Sequence, residues 1–258
     1  MALYGVLGDI HGNREALAGA LAELERRGAE RVVCLGDVVG YNADPDECVA
    51  MVRSRCAAAI AGNHDLIALR RLDFRRCSTH AEYSLRRTRR MLSLDSISYL
   101  RELPGNKVLE EGVVLVHGGV RDAQQTLATP ALIAENAAYL REDFPGARLC
   151  FFGHSGEQKV FGIESAVSEV PANGQVHLRK ENTYFINPGS VDASRKRSRK
   201  YAECALFDSR AWTLEFLRVP YDSAATEAKA AVFGYRINPL TDWLYTLRRG
   251  IATRLSRA

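Results

Sequence analysis

The sequence predicts an α/β fold: two packed, mixed β-sheets flanked by helices. Three observations point there. Over the first 60 residues, short apolar runs alternate with amphipathic helical stretches, the rhythm of a parallel sheet with crossover helices. Strand-like runs return at Val113–Val116 and Arg148–Phe152, with a helical stretch between them. From Gln158 to Leu217 the pattern changes to short strands separated by turn residues, which supplies further strands for a second sheet.

Leu3–Leu7 reads as a buried strand. Asn13 is a good N-cap for the helix that follows, with Leu17, Ala20, Leu21 and Leu24 on one face and Gly28 at its end. Arg31–Leu35 is a second strand. Asp44-Pro45-Asp46-Glu47 opens a second helix: Asp44 as cap, Pro45 at the first helical position, Glu47 completing a capping box. Ala57–Ile60 is a third short strand. Leu66–Leu103 is mainly helical and rich in arginine, and a helix follows Pro130 as far as Arg141. Asn173-Gly174 has the composition of a hairpin turn, and Trp212–Val219 alternates as a strand does. Ser223–Arg254 returns to helix. With no linker, repeat or low-complexity stretch, residues 1–258 read as one domain, the helices of 223–254 packing on it or serving an oligomer interface.

Composition narrows the function classes. The net charge of +4 is small and both signs are mixed, so no nucleic-acid partner is demanded. The six cysteines form no C-x-x-C pair and several lie in apolar runs, which suits a reducing compartment and core packing. There is no basic, apolar leader and no run near the roughly 20 apolar residues of a membrane span, so the expected location is the cytoplasm, without a membrane partner.

Five short motifs carry the chemistry: Gly8-Asp9-Ile10-His11-Gly12, Gly36-Asp37, Gly62-Asn63-His64-Asp65, His117-Gly118-Gly119 and Gly153-His154. Each follows a short apolar run, and strand ends of an α/β sheet converge on one crevice. Asp9, His11, Asp37, Asn63, His117 and His154 are therefore the candidate metal ligands. Taken singly, each histidine would be read as structural; the set together would not. Imidazole, carboxylate and amide oxygen suit Mn, Fe, Zn or Co, and the absence of thiolate argues against a structural zinc site. Six ligands exceed the need of one ion. Two divalent ions sharing a carboxylate, with Asp37 the natural bridge, would use them all and could clamp a phosphate.

In this order the motifs resemble the calcineurin-like metallophosphoesterase superfamily: D-x-H, then G-D, then G-N-H-D/E, then H, then G-H-x-H. Gly36-Asp37-Val38-Val39-Gly40-Tyr41 with Asp44-Pro45, Asn187-Pro188-Gly189-Ser190-Val191, and Val219-Pro220-Tyr221-Asp222 extend the resemblance to its YfcE-like or diadenosine-tetraphosphatase-like branch, over nearly the whole chain. The resemblance implies a four-layer α/β/β/α sandwich and a metal-dependent phosphoric ester hydrolase. It places Asp9 and His11 on a first metal, Asp37 as bridge, and Asn63, His117 and His154 on a second. His64 is implied to be the catalytic residue, as general acid to the leaving group or as hydrogen-bond donor to the phosphate, and a metal-bridging water or hydroxide the nucleophile. The bottom-up chemistry agrees, because a leaving alkoxide needs a proton near neutral pH, where histidine titrates.

One position departs from the pattern: Gly156 stands where the last motif usually has its second histidine. Phosphoprotein phosphatases resemble this arrangement and share the His-Gly-Gly motif, so the expectation leans to a phosphomonoester: a small molecule, nucleotide or phosphoprotein. Alternatively, Glu157 fills the place of the missing histidine. Arg195, after the Asn187–Val191 turn, is a candidate for holding phosphate oxygens. The other arginine runs, from Arg70 to Arg90, read as solvated helix faces or as a cleft lining that selects anions. His80 and His177 read as packing or surface residues. Competing readings are a phosphodiesterase or dinucleoside-polyphosphate hydrolase, an inactive metal-binding scaffold and, less favoured, a nucleic-acid binder.

Overall fold

The computed structural model describes residues 1–109, 112–164, 167–169, 174–193 and 200–255, with side chains up to residue 247. In chain order the elements are β1 (Leu3–Leu7), α1 (Arg14–Arg26), β2 (Arg31–Cys34), α2 (Pro45–Arg55), β3 (Ala58–Ala59), α3 (Asn63–Ala68), α4 (Thr79–Met91), α5 (Leu94–Glu102), β4 (Asn106–Val108) and β5 (Val113–Val116). They continue with α6 (Pro130–Asp143), β6 (Leu149–Phe151), β7 (Gln158–Ile163), β8 (Val167–Glu169), β9 (Gln175–His177), β10 (Thr183–Pro188), β11 (Tyr201–Asp208), β12 (Thr213–Pro220), α7 (Ser223–Val232) and α8 (Pro239–Leu255).

The strands form two six-stranded mixed sheets, in the orders β3-β2-β1-β11-β12-β9 and β4-β5-β6-β10-β7-β8. In the first, β1 to β3 are parallel and β11 joins β1 antiparallel. In the second, β5, β6 and β10 are parallel and flanked by antiparallel partners. Alternation along each strand splits the apolar residues between two faces. Val6, Val33, Leu115, Phe151, Ile186 and Phe207 meet between the sheets. Leu7 and Cys34 face the other way, against Leu17, Leu21 and Leu24 of α1 and Val49 and Val52 of α2. Ile133, Ala137 and Leu140 of α6 cover the outer face of the second sheet. The result is the predicted α/β/β/α sandwich.

Two local expectations are corrected. Asp44 occupies the N-cap position of α2, yet its side chain makes no capping bond; it pairs instead with Lys229 on α7, so the capping box does not form. The strands around Asn173-Gly174 do not pair with each other: β8 joins β7 in one sheet and β9 joins β12 in the other, Asn173 itself lying outside the described residues. The C-terminal helices are α7 and α8, separated by a stretch containing Gly234, where φ is +66°. The cysteines are free thiols, all buried except the half-buried Cys56, as core packing predicts. Among the described residues, no helix is long and apolar enough to cross a membrane.

Candidate metal centre

The first motif loop extends β1, and the second extends β2 beside it. Asp9 N–H donates to Gly36 O at 3.0 Å, Ile10 and His11 N–H to Asp37 O at 2.9 and 2.8 Å, and Gly12 N–H to Val38 O at 2.8 Å. Within these loops the backbone turns through the left-handed region at Asp9 (φ +51°), His11 (+54°) and Asp37 (+53°), and His154 after β6 does the same (+64°). Among the described non-glycine residues, only Arg70 and Trp212 share that conformation. Such backbone costs about 1 kcal/mol or more per residue and persists where its surroundings over-determine it, commonly at functional sites. Here the restraint also comes from the 187–192 turn: Ser190 Oγ and Asp192 N–H donate to Asp9 O, each at 3.0 Å, and Asn187 Nδ2 donates to Gly153 O at 2.9 Å.

Five strand-end segments from the two sheets thereby meet. The ligand-type atoms of His11, Asp37 and His64 lie within 4.8 Å of one another, and so do those of Asp37, His117 and His154. Asp37 belongs to both groups, with Oδ2 3.9 Å from His11 Nε2 and Oδ1 3.3 Å from His117 Nε2. Asn63, the first residue of α3, places Oδ1 3.0 Å from His117 Nε2. Asp9 Oδ1 accepts from His154 N–H at 3.1 Å. All six candidate ligands and His64 are thus brought together. Glycine makes the approach feasible: a Cβ on Gly62 would overlap Asp37, and one on Gly40 would overlap the His64 imidazole.

The electrostatics suit a cation. Burial would raise the Asp37 carboxyl, but the imidazoles of His117, His64 and His11 outweigh it and hold the group well below the usual carboxylate range. Burial would lower His117, but the Asp37 carboxylate overrides this and pushes it up to about 9. His117 Nδ1–H donates to Leu35 O at 2.8 Å, which fixes the ring and aims Nε2 at two oxygen acceptors, Asn63 Oδ1 and Asp37 Oδ1. That nitrogen therefore carries a proton in a position where a metal ion would take its lone pair.

Asp65 is a component that sequence reasoning passed over although it lies inside a quoted motif. It is fully buried, and its carboxylate accepts from Val38, Val39 and Gly62 N–H at 2.9, 3.2 and 2.9 Å, tying the Asp37 loop to the start of α3. Burial and the neighbouring Asp37 push it up to about 7. Of the nearby acids, Asp44 pairs with Lys229, and Asp46 accepts from Ser93. The Tyr41 ring flanks His64 at 4.8 Å and His11 at 4.8 Å, and His80 follows at 5.2 Å from Tyr41. Gly156 adds no side chain, and Glu157 does not replace the missing histidine; its exposed carboxylate faces Lys159 Nζ at 3.6 Å. Arg195 lies outside the described residues. Of the other arginines, Arg86 and Arg89 stack on Phe74. Arg76 reaches Asp122, on the loop after His117, at 2.7 Å.

The calcineurin-like phosphoesterase superfamily domain matches residues 2–211. An uncharacterized protein of Methanocaldococcus jannaschii is 29% identical over 247 residues, covering 94% of this chain and 95% of its own. In structure the chain is similar to a metallophosphoesterase of Sphaerobacter thermophilus, with TM-score 0.73, 24% identity and coverage of 95% and 98% of the two chains. It is also similar to a hypothetical protein of Pyrococcus horikoshii, with TM-score 0.68, 18% identity and coverage of 95% and 98%. At these identities the two structural likenesses speak for the fold, while the family match spans most of the chain and all five motifs. The chain belongs to the calcineurin-like phosphoesterase superfamily and is a metal-dependent phosphoester hydrolase.

Proposed function

We propose that the chain is a dinuclear phosphomonoesterase working as a single unit of residues 1–258, on a phosphorylated small molecule, nucleotide or phosphoprotein. The observation that carries this reading is the pair of donor groups joined through Asp37. Asp9, His11 and Asp37 would hold one divalent cation, and Asp37, Asn63, His117 and His154 the other. The donor set is nitrogen and oxygen without thiolate, which fits Mn or Fe and similar ions. Bound there, two such ions supply an activated water and neutralise the phosphate charge. His64 donates the proton that the leaving oxygen needs. One of its ring nitrogens lies in the first donor group; it is read as acid because the asparagine beside it in the Gly-Asn-His-Asp motif is the ligand of the pair. The 187–192 turn and Asp65 hold these groups in place from behind.

The monoester reading rests on Gly156. With no second histidine after β6, His11 would be the imidazole holding the first cation, which would leave room for a dianionic phosphate. Comparison of p-nitrophenyl phosphate with bis(p-nitrophenyl) phosphate, with Mn²⁺ added, tests this. The expected kcat/KM is higher for the monoester by at least about ten-fold. The reverse ratio would assign diester hydrolysis, and no turnover of either, with cations bound, would assign a scaffold.

A cation and a proton compete for His117 Nε2, so uptake of Mn²⁺ by chelator-treated protein is expected to release a proton and to weaken as pH falls below about 9. The stability of the metal-free protein runs the other way. Its His117–Asp37 ion pair contributes fully below the ordinary histidine value of 6.5 and is lost as pH rises through about 9. Calorimetry at pH 8 in two buffers of different ionisation enthalpy reads the proton directly. Equal apparent enthalpies in both buffers would remove His117 from the ligand set.

A further inference from the structure

The backbone of His11 is held from an unexpected direction. Asn42 donates to His11 O twice, from N–H at 2.9 Å and from Nδ2 at 3.2 Å. Those two donors fix the carbonyl of a residue at φ +54°, a conformation with little intrinsic preference. Asn42 is itself buried, and its Oδ1 accepts from Arg236 Nη2 at 3.1 Å. Arg236 Nη1 donates to Tyr41 O at 3.2 Å, and Nε to Glu227 Oε2 of α7 at 2.9 Å. One guanidinium therefore joins the C-terminal segment to the two residues that lie over the first donor group: Asn42, bonded to the His11 carbonyl, and Tyr41, whose ring packs on His11 and His64.

The rest of the segment seats that guanidinium. Tyr235, beside it, is fully buried against Ala43 and Ala230. Lys229 pairs with Asp44 and, at 2.7 Å, with Glu15, and Thr226 Oγ1 donates to Asn13 Oδ1 at 3.0 Å. These contacts grip the helix ends on both sides of the His11 loop. Arg236 differs from them because its bonds lead to the ligand itself through a single intervening side chain. His117 and His154 follow strands of the other sheet, β5 and β6.

We infer that Arg236 is a positioning residue for the first cation: through Asn42 it sets the His11 imidazole, and through the Tyr41 carbonyl it sets the aromatic wall beside His11 and His64. The inference rests on the dinuclear reading above and adds to it a residue beyond the stretch matched to the family, which ends at 211. A planar fork with two oxygen acceptors in fixed directions is a task for arginine that lysine does not reproduce.

The test is a titration of the full, chelator-treated chain with Mn²⁺ alone, followed by calorimetry. The wild type is expected to show two binding steps, and His11→Ala identifies which belongs to the first donor group. In Arg236→Ala that step is expected to weaken roughly ten-fold, the scale on which groups behind a ligand act. The other step should stay within about two-fold. Asn42→Ala should weaken the same step, and the double variant should be no weaker than Asn42→Ala alone, since both act on one path. Guanidinium chloride at low concentration should restore the step in Arg236→Ala and leave Asn42→Ala unchanged, a rescue that general loosening of the fold would not give. Should Arg236→Ala fail to fold, Arg236→Lys is expected to show the same selective loss. Equal weakening of both steps, weakening of neither, or additive effects in the double variant overturns the inference. A wild type with a single step overturns the dinuclear reading itself, and this inference with it.

Discussion

Replacing His64 by alanine is expected to lower kcat by about 10²- to 10⁴-fold on an alkyl phosphate, the usual contribution of a positioned general acid. The loss should be much smaller on p-nitrophenyl phosphate, because nitrophenolate leaves as a stable anion and asks little of a proton donor. This dependence on the leaving group is what separates an acid from a ligand. The scaffold should survive the change: the His64 N–H that donates to Asp37 Oδ1 at 2.7 Å belongs to the backbone and remains. The ring packs against Tyr41 and His11, so some local loosening is expected, but no cation should be lost. Stopped-time assays on both substrates, together with Mn²⁺ stoichiometry, decide the matter. Equal losses on the two substrates, accompanied by loss of one equivalent of Mn²⁺, would make His64 a ligand, a role its place in the first donor group allows geometrically.

The candidate site was legible in the sequence because its ligand-type residues are concentrated in short strings at strand ends. Asp9, Asp37 and His117 need no long-range knowledge: an apolar run ending at a ligand-type residue with a glycine beside it announces them. What surrounds them is legible only in three dimensions. The role of Asp65 requires the loops after β2 and β3 to lie together, since its acceptors serve Val38 and Val39 as well as Gly62. Asp44 reads locally as a helix cap, and a lysine 185 positions away overrides that propensity. Asn173-Gly174 has the right turn chemistry, yet the strands beside it join different sheets, which no local pattern encodes. Arg236 lies between α7 and α8 in a stretch whose sequence carries no motif, and it bonds to a loop 194 positions earlier. The strand-end residues follow from local pattern, and the groups that brace them follow from topology.

The largest effect is expected from Asp37→Asn. Asparagine tolerates the left-handed backbone that residue 37 adopts at φ +53°, and its Oδ1 can still accept from His64 N–H, so the fold should persist. What disappears is the negative charge between the two donor groups. At an effective dielectric near 20, one unit charge about 4 Å from another is worth about 4 kcal/mol, or about three orders of magnitude in affinity. Mn²⁺ stoichiometry should fall from two to one or none, and kcat/KM by at least about a thousand-fold. The proton released on Mn²⁺ uptake should shrink as well, because His117 without Asp37 loses the carboxylate that chiefly raises it, and burial then drives it down. Asp37→Ala should do worse than Asn in thermal melting, since it also strands the His64 N–H and places alanine in an unfavourable conformation. Two Mn²⁺ bound by Asp37→Asn with wild-type affinity would show that the carboxylate does not bridge, and the division of the ligands into two groups would have to be redrawn around Asp9.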